Sequence, residues 1–213
     1  VNQKNLTKNA IPYSFGLEST SVLYNDSNPF LAVEVKPKKH ETIVIQTSLI
    51  GNYNFENVHA ALAVGVYMGV PIAKIKEAIE EYSPSNSRSQ LLKTQFNTVI
   101  LDAYNANPSS MELAIKNFSS LKSSSKVVII GEMLELGDYS VAEHKRIANM
   151  VKTSDFDKVI FIGKGFEGEA DNCLYFCDSE SSSVYLANQP IRDSLVLLKG
   201  SRGVKLEKVL DKL

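Results

Sequence analysis

Residues that bind metals or form disulfides are scarce in this sequence. Its 213 residues include two cysteines, Cys173 and Cys177 in the segment CLYFC, and three histidines. A metal or redox centre would need a second pair of ligands, and no such pair follows. Because residues i and i+4 of a strand share a face, the two cysteines are better explained as neighbours on one face of a short strand.

Excess charge and long apolar runs are also absent. The 23 lysines and arginines nearly balance the 24 aspartates and glutamates, giving a formal net charge of −1. This balance argues against a general nucleic-acid binder. No apolar run approaches the roughly 20 residues that span a bilayer, and no secretory signal is visible. We therefore expect a cytoplasmic protein without a membrane span.

Two different hydrophobic patterns divide the chain. In the first third, the β-rich runs SVLYN, FLAVEV and TIVIQTSL predict a small antiparallel sheet. Two helices follow, with Gly69 ending the first and Pro71 near the first turn of the second. The segment SPSNSRSQ, residues 83–90, is polar and lacks apolar periodicity, so we place a domain boundary there. The predicted domains are residues 1–84 and 85–213.

After this boundary, apolar strands alternate with amphipathic helices. The strand-like runs are NTVILDA, KVVII, KVIFIG and SLVLLK, with a weaker run, CLYFC, before the last. Continuous apolar character is typical of strands that are buried on both faces of a parallel sheet. The alternation therefore predicts an α/β fold whose mostly parallel sheet has helices on both faces.

A polar cluster follows each strong strand. The clusters are YNANPSS, GEMLELGDYS, GKGFEG and GSRG. In an open parallel sheet, ligands bind at the carboxyl ends of the strands. Because all four clusters belong to that one edge, we predict that it is the functional edge.

The cluster after the first of these strands has both structural and functional explanations. Asn107 is a good helix N-cap, with Pro108 at the first helical position. Capping does not account for Asp102, Tyr104 and Asn105. A carboxylate at a strand end suits sugar hydroxyls or a cation, and amides can contact a purine edge, so these residues are candidates for ligand contact.

The other clusters are similarly ambiguous. In GEMLELGDYS, Ser140 and Glu143 fit a capping box for the helix that carries His144. The loop carboxylates are either solvated or functional, and His144 is either a structural histidine or part of a site. In LLKGSRG, Lys199 and Arg202 form either an anion site or a solvated basic turn. In the first domain Asn54 is a candidate helix cap, whereas Asn57 is not needed for capping.

Complete catalytic motifs are missing. There is no GxxxxGK[ST] phosphate loop, no GxGxxG after the first strand and no GxSxG elbow. The sequence begins with Val1, and its first twenty residues contain no strong periodic element. We therefore expect a fragment whose upstream part is missing.

Taken in order, five segments resemble the Mur ligases of peptidoglycan synthesis: GNYNFENVHAALA, NSRSQ, LDAYNANPSSM, GEMLELG and LLKGSRGVKLEKVL. The match is strongest to the members that join D-alanyl-D-alanine to UDP-N-acetylmuramoyl-tripeptide. The resemblance implies the end of a central ATPase domain in residues 1–84 and a C-terminal Rossmann-like domain in residues 85–213. The phosphate-binding loop, the Mg²⁺ ligands and the modified lysine of the family would then lie upstream of Val1.

The resemblance also implies an activity and its partners. The whole enzyme would use ATP and Mg²⁺ to activate a carboxylate as an acyl phosphate, which the dipeptide amine attacks. It would bind small molecules and no nucleic acid, and it would be a monomer. The isolated chain would have no ligase activity.

Site residues follow from the same resemblance. Seven would bind ATP: Asn54, Asn57, Arg88, Asp102, Tyr104, Asn105 and Asn107. Seven would face the substrates: Glu132, Leu134, Glu135, His144, Lys199, Ser201 and Arg202. Asn54 and Asn57 would contact the adenine, Arg88 the phosphates and Asp102 the ribose. Tyr53 departs from the family pattern, which usually has a histidine before the first asparagine.

Two alternatives stay open. A folylpolyglutamate synthetase would share this architecture, although its motif would read more like DGAHNP than DAYNANP. A non-catalytic nucleotide- or partner-binding module could use the same strand-end loops without chemistry. An upstream phosphate loop in the encoding gene would favour the ligase over this module.

Overall fold

A computed structural model describes residues 16–23, 29–38 and 40–213. The chain forms two compact units, Val1–Ser83 and Pro84–Leu213. This division falls one residue before the boundary predicted from composition. The assignment of the two units to a central and a C-terminal ligase domain stays a prediction.

The first unit contains the predicted antiparallel sheet. Its strands β1 (Leu17–Leu23), β2 (Phe30–Pro37) and β3 (Ile43–Ile50) lie in the order β1-β2-β3. Strand β1 begins within the first twenty residues, whose sequence shows no strong periodic pattern. The last two residues of the predicted strand SVLYN lie outside the described residues.

Two helices cover this sheet, α1 (Phe55–Tyr67) and α2 (Ile72–Glu81). Gly69 has a φ of +73°, and its N–H donates to the Val66 carbonyl, so α1 ends at the predicted glycine. Leucine, valine and isoleucine side chains from the sheet and the helices form one core: Leu17, Leu31, Val33, Val35, Ile45, Val58, Leu62 and Ile75.

The second unit is a six-stranded sheet with helices. Its elements are β4 (Gln90–Lys93), β5 (Thr98–Asp102), α3 (Pro108–Ser120), β6 (Lys126–Gly131), α4 (Ser140–Lys152), β7 (Lys158–Ile162), β8 (Leu174–Phe176), α5 (Ser179–Asn188), β9 (Leu195–Lys199) and α6 (Glu207–Leu210). The strand order is β4-β5-β9-β6-β7-β8, and only β4 runs antiparallel. The predicted mostly parallel α/β fold is confirmed.

Burial on both faces explains the continuous apolar strands. Residues 127–131 of β6 are all buried. On one face of the sheet, Leu186 of α5 and Val209 of α6 belong to the same core as Val127 and Ile129. Helices α3 and α4 contact each other, as do α5 and α6.

Strand β4 was not predicted. It begins at Gln90, the last residue of the polar segment that we assigned to a boundary, and it has four residues, of which three are only partly buried. Backbone pairing with β5, from Gln90 opposite Leu101 to Lys93 opposite Thr98, holds it in the sheet. An edge strand of this length has too few side chains to show a periodic pattern.

Three local predictions need correction. Ser140 is the first residue of α4 and not its cap, because a 3₁₀ turn precedes the helix; Glu143 pairs with Arg146 instead, at 2.8 Å. Asn54 occupies the cap position of α1, but its side chain makes no capping hydrogen bond. The two cysteines flank β8 and do not lie within it; both are free, and burial raises the pKa of Cys173.

Candidate functional site

The carboxyl ends of the parallel strands bring the predicted clusters of the second unit together. Strand β9 lies between β5 and β6, with Lys199 opposite Asp102 on one side and Ile130 on the other. On the next pair of strands, Gly131 lies opposite Ile162. Loops that are distant in sequence therefore share one edge.

Lys199 and Asp102 form a buried ion pair at the centre of this edge. The lysine Nζ lies 3.0 Å from Asp102 Oδ2, and the two side chains are 2% and 14% exposed. The ammonium also donates to the Asn105 carbonyl at 2.7 Å. Because its N–H groups are directed at these acceptors, Lys199 fixes the loop after β5. Direct contact between Lys199 and a substrate stays a prediction.

Tyr104 lies beside two arginines. The guanidinium carbon of Arg88 is 4.0 Å from the centroid of the Tyr104 ring, and that of Arg202 is 5.5 Å away. The backbone N–H groups of Ala103 and Tyr104 both donate to the Ser87 carbonyl, which attaches the Arg88 segment to this loop. Within the described part of the chain, neither guanidinium pairs with a carboxylate. Both positive charges are therefore available to an anionic ligand.

The loop after β6 is attached to its neighbours on both sides. Glu132 accepts from the Gly165 N–H at 2.9 Å, and its carbonyl accepts from the Ser201 N–H at 3.1 Å. The Leu134 N–H donates to Ser201 Oγ at 2.9 Å. Ser201 is buried, whereas the side chains of Leu134 and Glu135 are exposed at this edge.

His144 lies beneath the same loop. It is 1% exposed; its Nε2 accepts from the Met133 N–H at 2.9 Å, and its Nδ1 lies 2.7 Å from the Ser140 carbonyl. Both ring nitrogens are therefore engaged with the backbone. In the structure the side chain connects the backbone at Met133 to the backbone at Ser140. Contact between His144 and a substrate stays a prediction.

Asn107 and Asn105 differ in their roles. Asn107 caps α3 as predicted, because Oδ1 accepts from the Ser110 N–H while Ser110 Oγ accepts from the Asn107 N–H. Pro108 occupies the first helical position. Asn105 is exposed, and its carbonyl is one of the acceptors for Lys199. Nucleotide contact stays a prediction for both residues.

The cap gives a direct test of the Asn107 contribution. Asn107→Ala should destabilise α3 by about 0.5–2 kcal/mol, because the Ser110 N–H loses its acceptor. Asn107→Ser retains a capping oxygen and should stay close to the parent chain. Amide exchange of α3 residues measures both changes, and equal exchange in the two variants would contradict this role.

In the first unit, Asn54 and Asn57 contact each other. The Asn57 side-chain amide donates to Asn54 Oδ1 at 3.0 Å, and the Asn54 amide donates to the Ile50 carbonyl at 2.8 Å. This chain of hydrogen bonds ties α1 to the end of β3. Adenine contact by either amide stays a prediction.

Two contributors were missed by sequence reasoning. Ser87 supplies the carbonyl that anchors Tyr104, and it has a left-handed φ of +57° that is uncommon outside glycine. It lies in a segment that reads as a simple linker. Gly165 supplies the N–H that binds Glu132, and it lies in the GKGFEG cluster, of which no single residue was named as a candidate.

The described residues contain no group of three or more His, Cys, Asp or Glu side chains that could hold a metal ion. Mg²⁺ stays a prediction. Within the same residues, no helix has the length and apolar character needed to cross a membrane.

Comparison with known proteins identifies the family. The family described as "Mur ligase, glutamate ligase domain" matches residues 87–202. The chain belongs to the Mur ligase family. This match covers β5, β6 and β9 and every site residue named above in the second unit.

Curated relatives of this Mur ligase chain are named UDP-N-acetylmuramoyl-tripeptide–D-alanyl-D-alanine ligase. The Bacillus subtilis protein is 31% identical over 78% of this chain and 38% of its own length. The protein of Buchnera aphidicola subsp. Baizongia pistaciae is 30% identical over 98% of this chain and 46% of its own length. The chain thus spans less than half the length of these relatives.

Solved structures agree on the fold. MurF from Acinetobacter baumannii has a TM-score of 0.78 at 22% identity, covering 92% of this chain and 44% of that one. MurF ligase from Thermotoga maritima, solved in complex with ADP, has a TM-score of 0.71 at 21% identity, covering 92% and 45%. A folylpolyglutamate synthase from the same organism scores 0.63 at 16% identity, covering 91% and 45%.

Proposed function

We propose that this chain is part of an ATP-dependent ligase that joins D-alanyl-D-alanine to UDP-N-acetylmuramoyl-tripeptide in peptidoglycan synthesis. One observation carries the proposal: in a chain of the Mur ligase family, Asp102 and the Arg88–Tyr104–Arg202 cluster meet at the carboxyl edge of the sheet. A carboxylate at the same edge as two guanidinium groups that pair with no carboxylate of the described residues suits a nucleotide. The carboxylate can accept hydrogen bonds from ribose hydroxyls, and the guanidinium groups can bind phosphates.

The reaction has two steps. The terminal carboxylate of the tripeptide attacks the γ-phosphorus of ATP, which forms an acyl phosphate and releases ADP. The dipeptide amine then attacks the acyl carbon and expels phosphate, and the amine gives up its proton as the amide forms. Both steps develop negative charge on phosphoryl oxygens, so positioned cations stabilise them.

Individual residues would take different parts. Asp102, held by Lys199 through Oδ2, would accept a hydrogen bond from a ribose hydroxyl through Oδ1. Arg88 and Arg202 would contact phosphates, with the Tyr104 ring fixing their positions. The exposed Leu134 and Glu135 would face the incoming dipeptide. When bound, Mg²⁺ would neutralise phosphate charge, with ligands supplied from outside this chain.

The remaining roles belong to the same proposal. Asn54 and Asn57 would lie near the adenine, and the enzyme would work as a cytoplasmic monomer. The isolated 213-residue chain would turn over no substrate, because it lacks a GxxxxGK[ST] loop for the phosphates. The two curated relatives described above favour this substrate pair over a folylpolyglutamate synthetase.

Arg88→Gln in the full-length parent protein tests the site. It should lower kcat/KM for ATP by about ten- to a hundredfold, because a hydrogen bond to a charged group contributes about 1.5–3 kcal/mol. The assay is phosphate release with the UDP-sugar tripeptide, with and without D-alanyl-D-alanine.

Arg192→Gln is the matched control. Arg192 also lies over an aromatic ring, with its guanidinium carbon 3.8 Å from the Phe96 centroid, but it precedes β9 and so lies at the opposite edge of the sheet. Its replacement should leave kcat/KM within about threefold, since it contacts no proposed ligand. The absence of dipeptide-dependent phosphate release by the parent protein would reject the ligase and favour the non-catalytic nucleotide- or partner-binding module.

A further inference from the structure

Three segments of the second unit meet at the imidazole of His144. The ring projects from the first turns of α4, it binds the backbone of the loop after β6, and it packs on the turn after β7. An added Cβ at Gly165 of that turn would lie 2.4 Å from His144 Nε2. The next residue, Phe166, meets the imidazole edge to face, with ring centroids 4.7 Å apart.

Backbone partners on both sides fix the proton on this ring. The Met133 N–H is a donor, so the Nε2 that receives it carries no proton. The Ser140 carbonyl is an acceptor, so the Nδ1 that faces it carries the proton. With 1% exposure, the ring has no water to replace either partner. The contacts therefore require the neutral Nδ1–H tautomer.

The loop that His144 binds needs external support. Glu135 has a φ of +67°, a left-handed conformation that is unfavourable for a residue with a Cβ. Such conformations persist where surrounding contacts fix the chain on both sides. Here the Met133 N–H is held by His144 and the Leu134 N–H by Ser201, immediately before the strained residue.

We propose that His144 is a positioning residue that sets the conformation of loop 132–137 through the Met133 N–H, and thereby places Leu134 and Glu135 at the site. The part concerning the site depends on the proposed function, whereas the part concerning the loop does not. His144 itself then touches no substrate, in contrast to the role implied by the resemblance.

The test uses this 213-residue chain, labelled with ¹⁵N. Nitrogen chemical shifts of His144 report the tautomer, because an unprotonated ring nitrogen resonates well downfield of a protonated one. Hydrogen exchange of the Met133 and Leu134 amides reports the loop. His144→Leu removes the acceptor, and His144→Gln places an amide oxygen close to the position of Nε2.

We expect the Nδ1–H tautomer in the parent chain. Exchange at Met133 and Leu134 should rise at least about tenfold in His144→Leu and return to within about threefold in His144→Gln, as for the loss and recovery of one hydrogen bond. Protection of Val128 and Leu197 should be unchanged, which separates loop release from unfolding of the sheet.

An Nε2–H or doubly protonated ring in the parent chain would overturn the proposal, even if the leucine variant failed to fold. Unchanged exchange in His144→Leu, or a glutamine variant no better than leucine, would also overturn it. None of these measurements involves ATP or the dipeptide. Failure here is therefore distinct from failure of the ligase assignment.

Discussion

Lys199→Met should destabilise the second unit by about 3–5 kcal/mol, the range measured when one partner of a buried ion pair is removed. Methionine fills a similar volume but leaves the Asp102 carboxylate, with a side chain only 14% exposed, without its cation. The Asn105 carbonyl loses its donor as well. Hydrogen exchange of β6 and β9 amides in the intact chain measures the free energy of opening of this unit.

Lys205→Met is the matched control for this prediction. Lys205 is exposed and lies six residues after Lys199, in the segment that follows β9, so its loss should cost no more than about 0.5 kcal/mol. Adding Asp102→Asn to Lys199→Met should recover roughly half of the lost stability, because the uncompensated charge is then gone. A loss below about 1 kcal/mol for Lys199→Met would show that the ion pair is not structural.

The ion pair also shows how far the sequence alone could predict this site. Asp102 and Lys199 were each assigned to a strand end at the functional edge, because continuous apolar runs precede both. Their pairing could not be predicted, since 97 residues separate them and the sequence does not state that β9 lies between β5 and β6. Hydrophobic periodicity defines the strands, whereas their lateral order depends on how the helices pack.

The two predicted helix caps differ in outcome because the chain enters the two helices in different backbone conformations. Asn107 caps α3 because the chain enters that helix in an extended conformation. Ser140 and Glu143 have the spacing of a capping box, yet a 3₁₀ turn over Gly137–Tyr139 leads directly into α4, so no capping conformation arises. A residue of a capping pattern acts as an N-cap only if its own backbone lies outside the helical region of φ and ψ.

His144 illustrates a different limit of sequence reasoning. Its position after an acidic loop fits both a ligand contact and a structural histidine. Only the fold shows that the ring reaches the Met133 N–H, because that contact depends on where α4 lies beneath the end of β6. The sequence identifies loop 132–137 as part of the site, whereas only the tertiary contacts show which side chain supports that loop.

Gly200→Ala should destabilise the second unit by about 1–3 kcal/mol, as for overpacking of a filled interior. The backbones of β6 and β9 approach closely where they end, and an added Cβ at Gly200 would lie 2.8 Å from Gly131 Cα. A backbone atom cannot rotate away as a side chain can, so one of the two strand ends must move. The neighbouring Ser201, whose N–H donates to the Glu132 carbonyl, would move with it.

Gly203→Ala separates this effect from the general cost of replacing glycine in the loop. An added Cβ there would lie 2.6 Å from Leu134 Cδ1, but that atom ends a flexible side chain that is 43% exposed. The leucine can change rotamer, so the cost should stay below about 0.5 kcal/mol. Exchange of the Leu134 amide should rise in Gly200→Ala and not in Gly203→Ala, because only the former displaces Ser201. Equal effects of the two substitutions would mean that the strand ends separate easily, and the close approach of β6 and β9 would then not define the shape of this edge.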